Sequence, residues 1–405
     1  MKQFKWLLLA LLVVVFAWRI VVVNVAQYLA LKRDVAALQW KADIPSAMRL
    51  QADTMLNSNT QAARELTLLA AWLNPADGHT FAMLALLLER QGRLEQAKAA
   101  AEMAHLVMPR NADVQLKLGA FWAMRGEPIE AVKHWSMALE ARPKLAESLF
   151  PAMLGVAEIP QLRDGFAGVF KGHTPRWWAN FFNYALQNAV HENTLMAIYQ
   201  IQTEQYAHDV RQAYLDHLLE KALYTDAYFI WLNGLDTGEL NALGNVYNGG
   251  FEYPIQDEGF GWRMVHEPAY KVAAESTFGH TGRLALHVAL QEEPRSSRVI
   301  YQYLMLDAGQ YELRGRVRPE GLNAGKGVYW QLTCMGGRNQ ALVSNSGYFT
   351  GSDNWQRFTM PATVPVEGCP VQTLALVIDK GLEFDQTGYG GAIWIDDLEM
   401  VKLNS

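Results

Sequence analysis

Residues 298–306 read RVIYQYLML and residues 309–319 read GQYELRGRVRP. Polar and apolar side chains alternate in both, the period of a half-buried β-strand. Working outward, the same period runs through RLALHVAL (283–290), GVYWQLTC (327–334), WQRFTMPATV (355–364), VQTLALVI (371–378) and AIWIDDLEMV (392–401), with Pro and Gly between them. So many short strands close together predict a two-sheet antiparallel β-sandwich over 241–405. The period also sorts side chains by face. Tyr301 and Tyr303 share one face of their strand, which is either a platform or core. Trp330 and Leu332 read as core, leaving Tyr329, Gln331 and Thr333 on the polar side. Trp262, Trp355 and Trp394 read as packing residues.

Upstream the period changes to three to four residues. Pro75, Pro109 and Pro143 recur every 34 residues. Small residues sit where two helices of a hairpin must approach: Ala85, Ala97 and Ala104 in one unit, Gly119, Ala131 and Ala138 in the next. Gly92 and Gly126 fall where the chain turns between helices, and each proline stops a second helix. On these residues, 44–145 resembles three tetratricopeptide repeats (44–77, 78–111 and 112–145), best in the third unit and least in the first. The resemblance implies a stack of helical hairpins whose concave surface binds proteins. Residues 146–240 keep a helical period without the repeat signature: 177–190, 193–203, 209–223 and 225–235 qualify, as divergent repeats or a capping bundle. His208-Asp209 and Thr225-Asp226 are candidate caps. Trp177, Trp178, Phe181 and Phe182 are either a docking patch or core.

Residues 6–23 are apolar except for Arg19, long enough to span a bilayer once. Lys2 and Lys5 before them favour a cytoplasmic N-terminus. A cleaved signal peptide is the competing reading, without a clean cleavage site to support it. The expected order is a tip and anchor over 1–27, a helical lead-in over 28–43, the repeats over 44–145, the further helices over 146–240, then the sandwich. Most of the chain would then stand on the periplasmic side of an inner membrane, passed once.

The opening NGGFE (248–252), Gly261-Trp262, the strands above and the closing WIDDLEM (394–400) resemble jelly-roll carbohydrate-binding modules of the galactose-binding-like type, over about 245–403. That family implies a glycan-binding cleft on one sheet, for which Tyr301, Tyr303, Tyr329 and Gln331 are the candidates. It also implies a structural calcium held by Glu252 and by Asp396 or Asp397 with backbone carbonyls, since hard oxygens suit that ion. The alternative is that Glu252 caps a turn and the Asp pair ends a strand facing water. Cys334 ends one strand and Cys369 begins another, so an oxidising compartment would allow them to pair.

Composition removes other classes. Half the residues are hydrophobic and 19% are charged, which excludes disorder as the main description. A net charge of −6 shows no basic footprint for nucleic acid. Two cysteines exclude a cysteine-rich zinc domain or an iron–sulfur cluster. No nucleophile, metalloprotease or phosphate-loop spacing stands in a credible context, and His191-Glu192 lacks a second His. The expected function is a non-enzymatic, membrane-anchored envelope scaffold. Its repeats would bind envelope proteins and its jelly roll a polysaccharide, in exopolysaccharide assembly or export. The alternatives are a purely protein-binding assembly factor and a polysaccharide-modifying enzyme, whose two acids can lie far apart in sequence.

Overall fold

The first apolar run is helical throughout. In the computed structural model, which describes residues 2–32, 34–56, 58–201, 207–335, 341–381 and 388–403, α1 covers Lys2–Leu31. Its Ala10–Leu31 portion is the one helix among the described residues long and apolar enough to cross a membrane. The lead-in expected over 28–43 is not a single helix. The Asp34 amide returns to the Leu29 carbonyl (2.9 Å) and its carboxylate accepts from the Ala36 amide (2.9 Å). This local bonding competes with the helix, and only a short α2, Ala37–Trp40, follows.

Two compact units divide the chain, Met1–Ala207 and His208–Ser405. In the first, α3 (Pro45–Met55) and α4 (Thr60–Leu73), α5 (Gly78–Arg90) and α6 (Leu94–Val107), and α7 (Ala112–Met124) and α8 (Pro128–Ala141) are helical hairpins at the 34-residue period. The sequence explains their tight packing. Ala63, Ala70, Ala85, Ala97, Ala104, Ala131 and Ala138 are all fully buried. A methyl group added at Gly119 would fall 2.2 Å from Trp135 Cδ1. Gly92 and Gly126 take positive φ (72° and 76°), and the following amides of Arg93 and Glu127 reach back to Leu88 and Trp122 carbonyls (3.0 Å each). Asp77 and Asn111, two residues after the first two prolines of the series, cap the next helices through the His79 amide, and through the Asp113 and Val114 amides.

Helices α9 (Ala146–Glu158), α10 (Pro160–Val169), α11 (Trp178–Asn188) and α12 (Glu192–Tyr199) complete the first unit. Residues 202 and 203 of the range expected for α12 lie outside the described residues. Trp177, Trp178, Phe181 and Phe182 are core: all are buried, and the first three gather with Phe150, Phe166 and Phe170 at ring separations of 5.0–6.5 Å.

The second unit begins with α13 (Ala207–Glu220) and α14 (Tyr224–Leu232). Thr225-Asp226 lies inside the first turn of α14, whose N-cap is Leu223 without a side-chain bond. Both helices are fastened to the strands. Arg211 bonds the buried Glu258 carboxylate and the Gly234 carbonyl (2.8 Å), and Asp216 pairs with Arg263 (3.0 Å). Trp231 packs edge-on to Tyr247 at 5.1 Å and over Gly259, where a methyl would meet its ring at 2.6 Å. Removing one partner of so buried a charge pair costs about 3–5 kcal/mol, which makes Arg211 and Glu258 structural.

Among the described residues ten strands follow: β1 Arg263–Met264, β2 Tyr270–Glu275, β3 Ala285–Leu290, β4 Arg298–Leu304, β5 Gly309–Ala324, β6 Gly327–Met335, β7 Leu342–Asn345, β8 Gln356–Val364, β9 Val371–Asp379 and β10 Tyr389–Lys402. They form two five-stranded antiparallel sheets, ordered β1-β4-β9-β6-β7 and β2-β3-β10-β5-β8. Ile300, Trp330, Leu332, Leu374 and Leu376 of the first sheet face Leu286, Val288, Leu313, Val317, Ile393 and Ile395 of the second across one core. Trp262 plugs it between Phe251 and Trp330. Such a ring removes roughly 150–250 Å² from water, so these aromatics dominate the burial. Cys334 and Cys369 form a disulfide in the same core (Cα–Cα 5.0 Å).

Candidate functional site

The first sheet turns its outer side away from that core, and its register sets three neighbouring rows there. Arg263 of β1 pairs with Tyr301 of β4, Tyr301 with Ala375 of β9, Ala375 with Gln331 of β6, and Gln331 with Asn345 of β7. One row along, Tyr303, Thr373 and Thr333 are in register. On the other side lie Arg298, Val377 and Tyr329. The structure therefore brings Tyr301, Tyr303, Tyr329 and Gln331 onto one face, all half-buried. The alternation in each strand forces this, because the residues between them (Ile300, Gln302, Trp330 and Leu332) are buried on the inner side.

The rings are braced. Tyr301 and Tyr303 meet edge to face at 5.4 Å, the Arg298 guanidinium lies 4.9 Å over Tyr301, and Phe260 abuts Tyr303 at 6.3 Å. Burial, and the hydrogen bond with Tyr301, push the Tyr303 phenol up to about 12, so it stays a neutral hydroxyl. At the other end Tyr329 meets Tyr348 at 5.3 Å, and the Tyr348 hydroxyl donates to Asp379 at 2.5 Å. That bond holds the Asp379 carboxyl below its usual range. Between the ends, the Thr373 hydroxyl is buried without a hydrogen-bond partner among the described residues. The face offers ring surface, two amides, hydroxyls and two guanidinium row ends, Arg263 and Arg298, which suits sugar rings and their hydroxyls. Tyr348, Asn345 and Arg298 were not singled out in the sequence. Tyr348 lies in a loop with no period to read, and β7 is too short for one.

Glu252, Asp396 and Asp397 meet near the loop 279–284. Glu252 accepts from the Arg283 and Leu284 amides (2.6 and 3.0 Å). Asp397 accepts from the Thr281 hydroxyl (2.8 Å). Asp396 is fully buried. Its Oδ2 accepts from the Thr281 amide (3.1 Å) and lies 3.2 Å from His280 Nδ1, while its Oδ1 has no hydrogen-bond partner among the described residues. Burial pushes its carboxyl up to about 6, with the neighbouring Asp397 charge adding to the shift. A methyl at Gly250 would lie 3.8 Å from Asp396 Oδ1 and 4.0 Å from Glu252 Cγ, so both carboxylates flank one small space. Among the described residues no cluster of three or more His, Cys, Asp or Glu is gathered for a metal. The orphaned Asp396 oxygen fits a hard cation, whose remaining ligands would have to be backbone carbonyls.

No family model matches the chain, and no curated protein does. Solved structures are similar to parts of it. A CBM4 carbohydrate-binding module aligns with 39% of this chain and 99% of its own length at 14% identity and a TM-score of 0.30. TmCBM61, solved in complex with β-1,4-galactotriose, aligns with 40% and 99% at 23% identity and 0.27. MamA aligns with 28% and 69% at 22% identity and 0.23. TM-scores this low carry no functional information.

Proposed function

We propose that this chain is a non-enzymatic, membrane-anchored binding protein whose sandwich holds a carbohydrate chain. The glycan lies across the outer side of the first sheet, on Tyr301, Tyr303, Tyr329 and Gln331. The observation that carries this reading is the row Tyr301, Ala375, Gln331, Asn345, which sets an aromatic ring and two amides at successive strand positions on one face. The acids described at these rows and their braces, Asp379 and Asp216, are engaged by Tyr348 and by Arg263. Glycoside hydrolysis needs two acids able to exchange protons with the substrate, so this engagement supports binding over cleavage. Calcium at Asp396, with Glu252 beside it, would fix the loop 279–284. The 34-residue hairpins, read as tetratricopeptide repeats, recruit envelope proteins at the inner membrane, with the sandwich on its periplasmic side and an exported polysaccharide as the ligand. The test is titration of the detergent-solubilised full chain with soluble neutral polysaccharides, against a Tyr301→Ala, Gln331→Ala variant. Saturable binding lost in the variant supports the reading; no binding across the panel overturns it.

One observation favours the protein-assembly reading instead. The first unit has a groove of about 840 Å³ between α6 and α8, lined by Met103, Leu106, Met137, Glu102 and Lys133, with Leu106 73% exposed. Such a surface suits an apolar segment of a partner protein.

A further inference from the structure

We infer that the sandwich has a second, separate binding site on the outer side of the other sheet, and that its ligand is an acidic polysaccharide, a chain of sugars bearing carboxylates. The outward positions of β5 carry Arg314, Arg316 and Arg318 in succession. Directly opposite Arg316, on edge strand β8, stands Arg357. Like charges at paired positions destabilise a sheet; here Arg316 is balanced by an acid and Arg357 is not. Arg314 is matched by Glu312 (2.6 Å), Arg318 by Glu320 (2.7 Å) and Arg316 by Asp397 (3.6 Å), with Glu399 also opposite Arg314. Arg357 is exposed and has no hydrogen-bond or ion-pair partner among the described residues.

Aromatic rings adjoin that charge. Trp355, two residues before Arg357, receives the Arg316 and Arg318 guanidinium groups at 5.5 and 5.4 Å. Arg318 also lies 5.2 Å over Trp394, which His287 stacks at 4.0 Å. The β2–β3 loop is tied to this ladder. Trp355 Nε1 donates to the Phe278 carbonyl (2.8 Å), Arg316 to the Gly279 carbonyl (2.6 Å) and Arg318 to the Thr277 hydroxyl (2.9 Å). A loop held at three successive residues nonetheless presents the Phe278 ring 91% exposed. Chain folding does not need that ring there.

Rings accept the C–H faces of pyranoses. A guanidinium beside them binds a carboxylate through two parallel hydrogen bonds, a geometry a lysine does not reproduce. Phe278, Trp355 and Arg357 supply both parts within one patch. The proposal does not depend on the first face, where Arg263 is paired with Asp216 and Arg298 lies over Tyr301.

The experiment uses the detergent-solubilised full chain with polygalacturonate and, as the neutral comparison, galactan of similar length, at 0.05 and 0.5 M NaCl. Arg357→Gln and Phe278→Ala change exposed side chains, and their melting is checked against the parent. The expected result is polygalacturonate binding weakened at least tenfold by either substitution and by the higher salt, and left within twofold by Tyr301→Ala. Galactan binding does not change with Arg357→Gln. Absence of polygalacturonate binding overturns the proposal, as does binding that Arg357→Gln leaves intact. Loss with Tyr301→Ala instead would place the acidic chain on the first face, ending this proposal and leaving the first site standing. Binding of phosphatidylglycerol vesicles or polyglutamate, but not polygalacturonate, through Arg357 and Phe278 would assign the patch to a membrane or an acidic protein and overturn the glycan assignment.

Discussion

Tyr301 and Gln331 stand in one row of the first sheet, two strands apart, with only Ala375 between them. At strand spacing that separates their backbones by about 9–10 Å, with the small alanine leaving a low floor. A ligand crossing the strands meets the ring first and the amide second. Truncating an anchoring ring typically removes at least about 2 kcal/mol, or some 30-fold in affinity, and a neutral hydrogen bond about 1 kcal/mol. Tyr301→Ala should therefore weaken glycan binding roughly 30-fold and Gln331→Ala roughly fivefold, with unchanged melting. Trp330→Ala, one residue away but in the core, should lose about 3–5 kcal/mol of stability instead. Equal losses of affinity and stability in all three would sink the platform reading.

Asp396 Oδ1 is the group that a cation would satisfy. Calorimetric melting of the full chain in 2 mM calcium and in excess chelator should differ by several degrees in the sandwich transition. Asp396→Asn should remove the difference. Identical midpoints would mean that Asp396 is held by protein groups alone, His280 and the Thr281 amide among them.

Most of the sandwich was legible because its long strands are half-buried, and half-burial writes a period of two into the sequence. β4, β5, β6 and β8 follow the alternation, whereas β9 and the middle of β10 are buried on both faces and were legible from their apolar runs. β1, β2 and β7 were not read: β1 is two residues, β7 four, and β2 carries Ala273 and Ala274 where a stronger strand would carry β-branched residues. The faces of Tyr329 and Trp330 were legible for the same reason. The row joining Tyr301 to Gln331 was not, because strand order is set by long-range packing and no local pattern encodes it. The same holds for Arg357 opposite Arg316. Trp355 reads in sequence as another packing residue, and only its contacts with the outward Arg316 and Arg318 show it half-buried on an outer face. The fastening of α13 to the strands through Arg211 and Glu258 joins residues 47 apart, beyond any local signal.

The Cys334–Cys369 bond closes a 35-residue separation that contains all of β7 and β8. Chain-entropy arguments give roughly 3–4 kcal/mol for a loop of that size. Urea denaturation with and without reductant should show that loss, and Cys334→Ser with Cys369→Ser should reproduce it without reductant. Thiol titration of the unfolded, unreduced chain should find none free. Two free thiols would show that the bond does not form in the cell.

In the helical unit, Gln115 is oriented by the Met108 carbonyl, which can only accept and so takes the Gln115 amide nitrogen (3.1 Å). The Gln115 oxygen then faces His134 Nδ1 at 2.7 Å, so that nitrogen must carry the proton and donate. His105 Nδ1 approaches the same oxygen at 3.4 Å, and Glu130 and Lys133 share the helix of His134. Burial, and then the charge of His105, push the His134 imidazole down to about 4, against which Glu130 pulls only weakly. The folded pKa is thus below the unfolded value of about 6.5. Between these values the unfolded chain takes up a proton that the folded chain refuses. The stability due to His134 is therefore complete above pH 6.5 and is lost as pH falls toward 4, to a limit of about 3 kcal/mol. Urea midpoints of the helical transition at pH 7.5, 6.0 and 4.5 should fall in the parent chain. In His134→Gln, which has no titrating group there, they should fall less. Parallel pH curves for the two proteins would show that His134 titrates normally and that its burial has no energetic consequence.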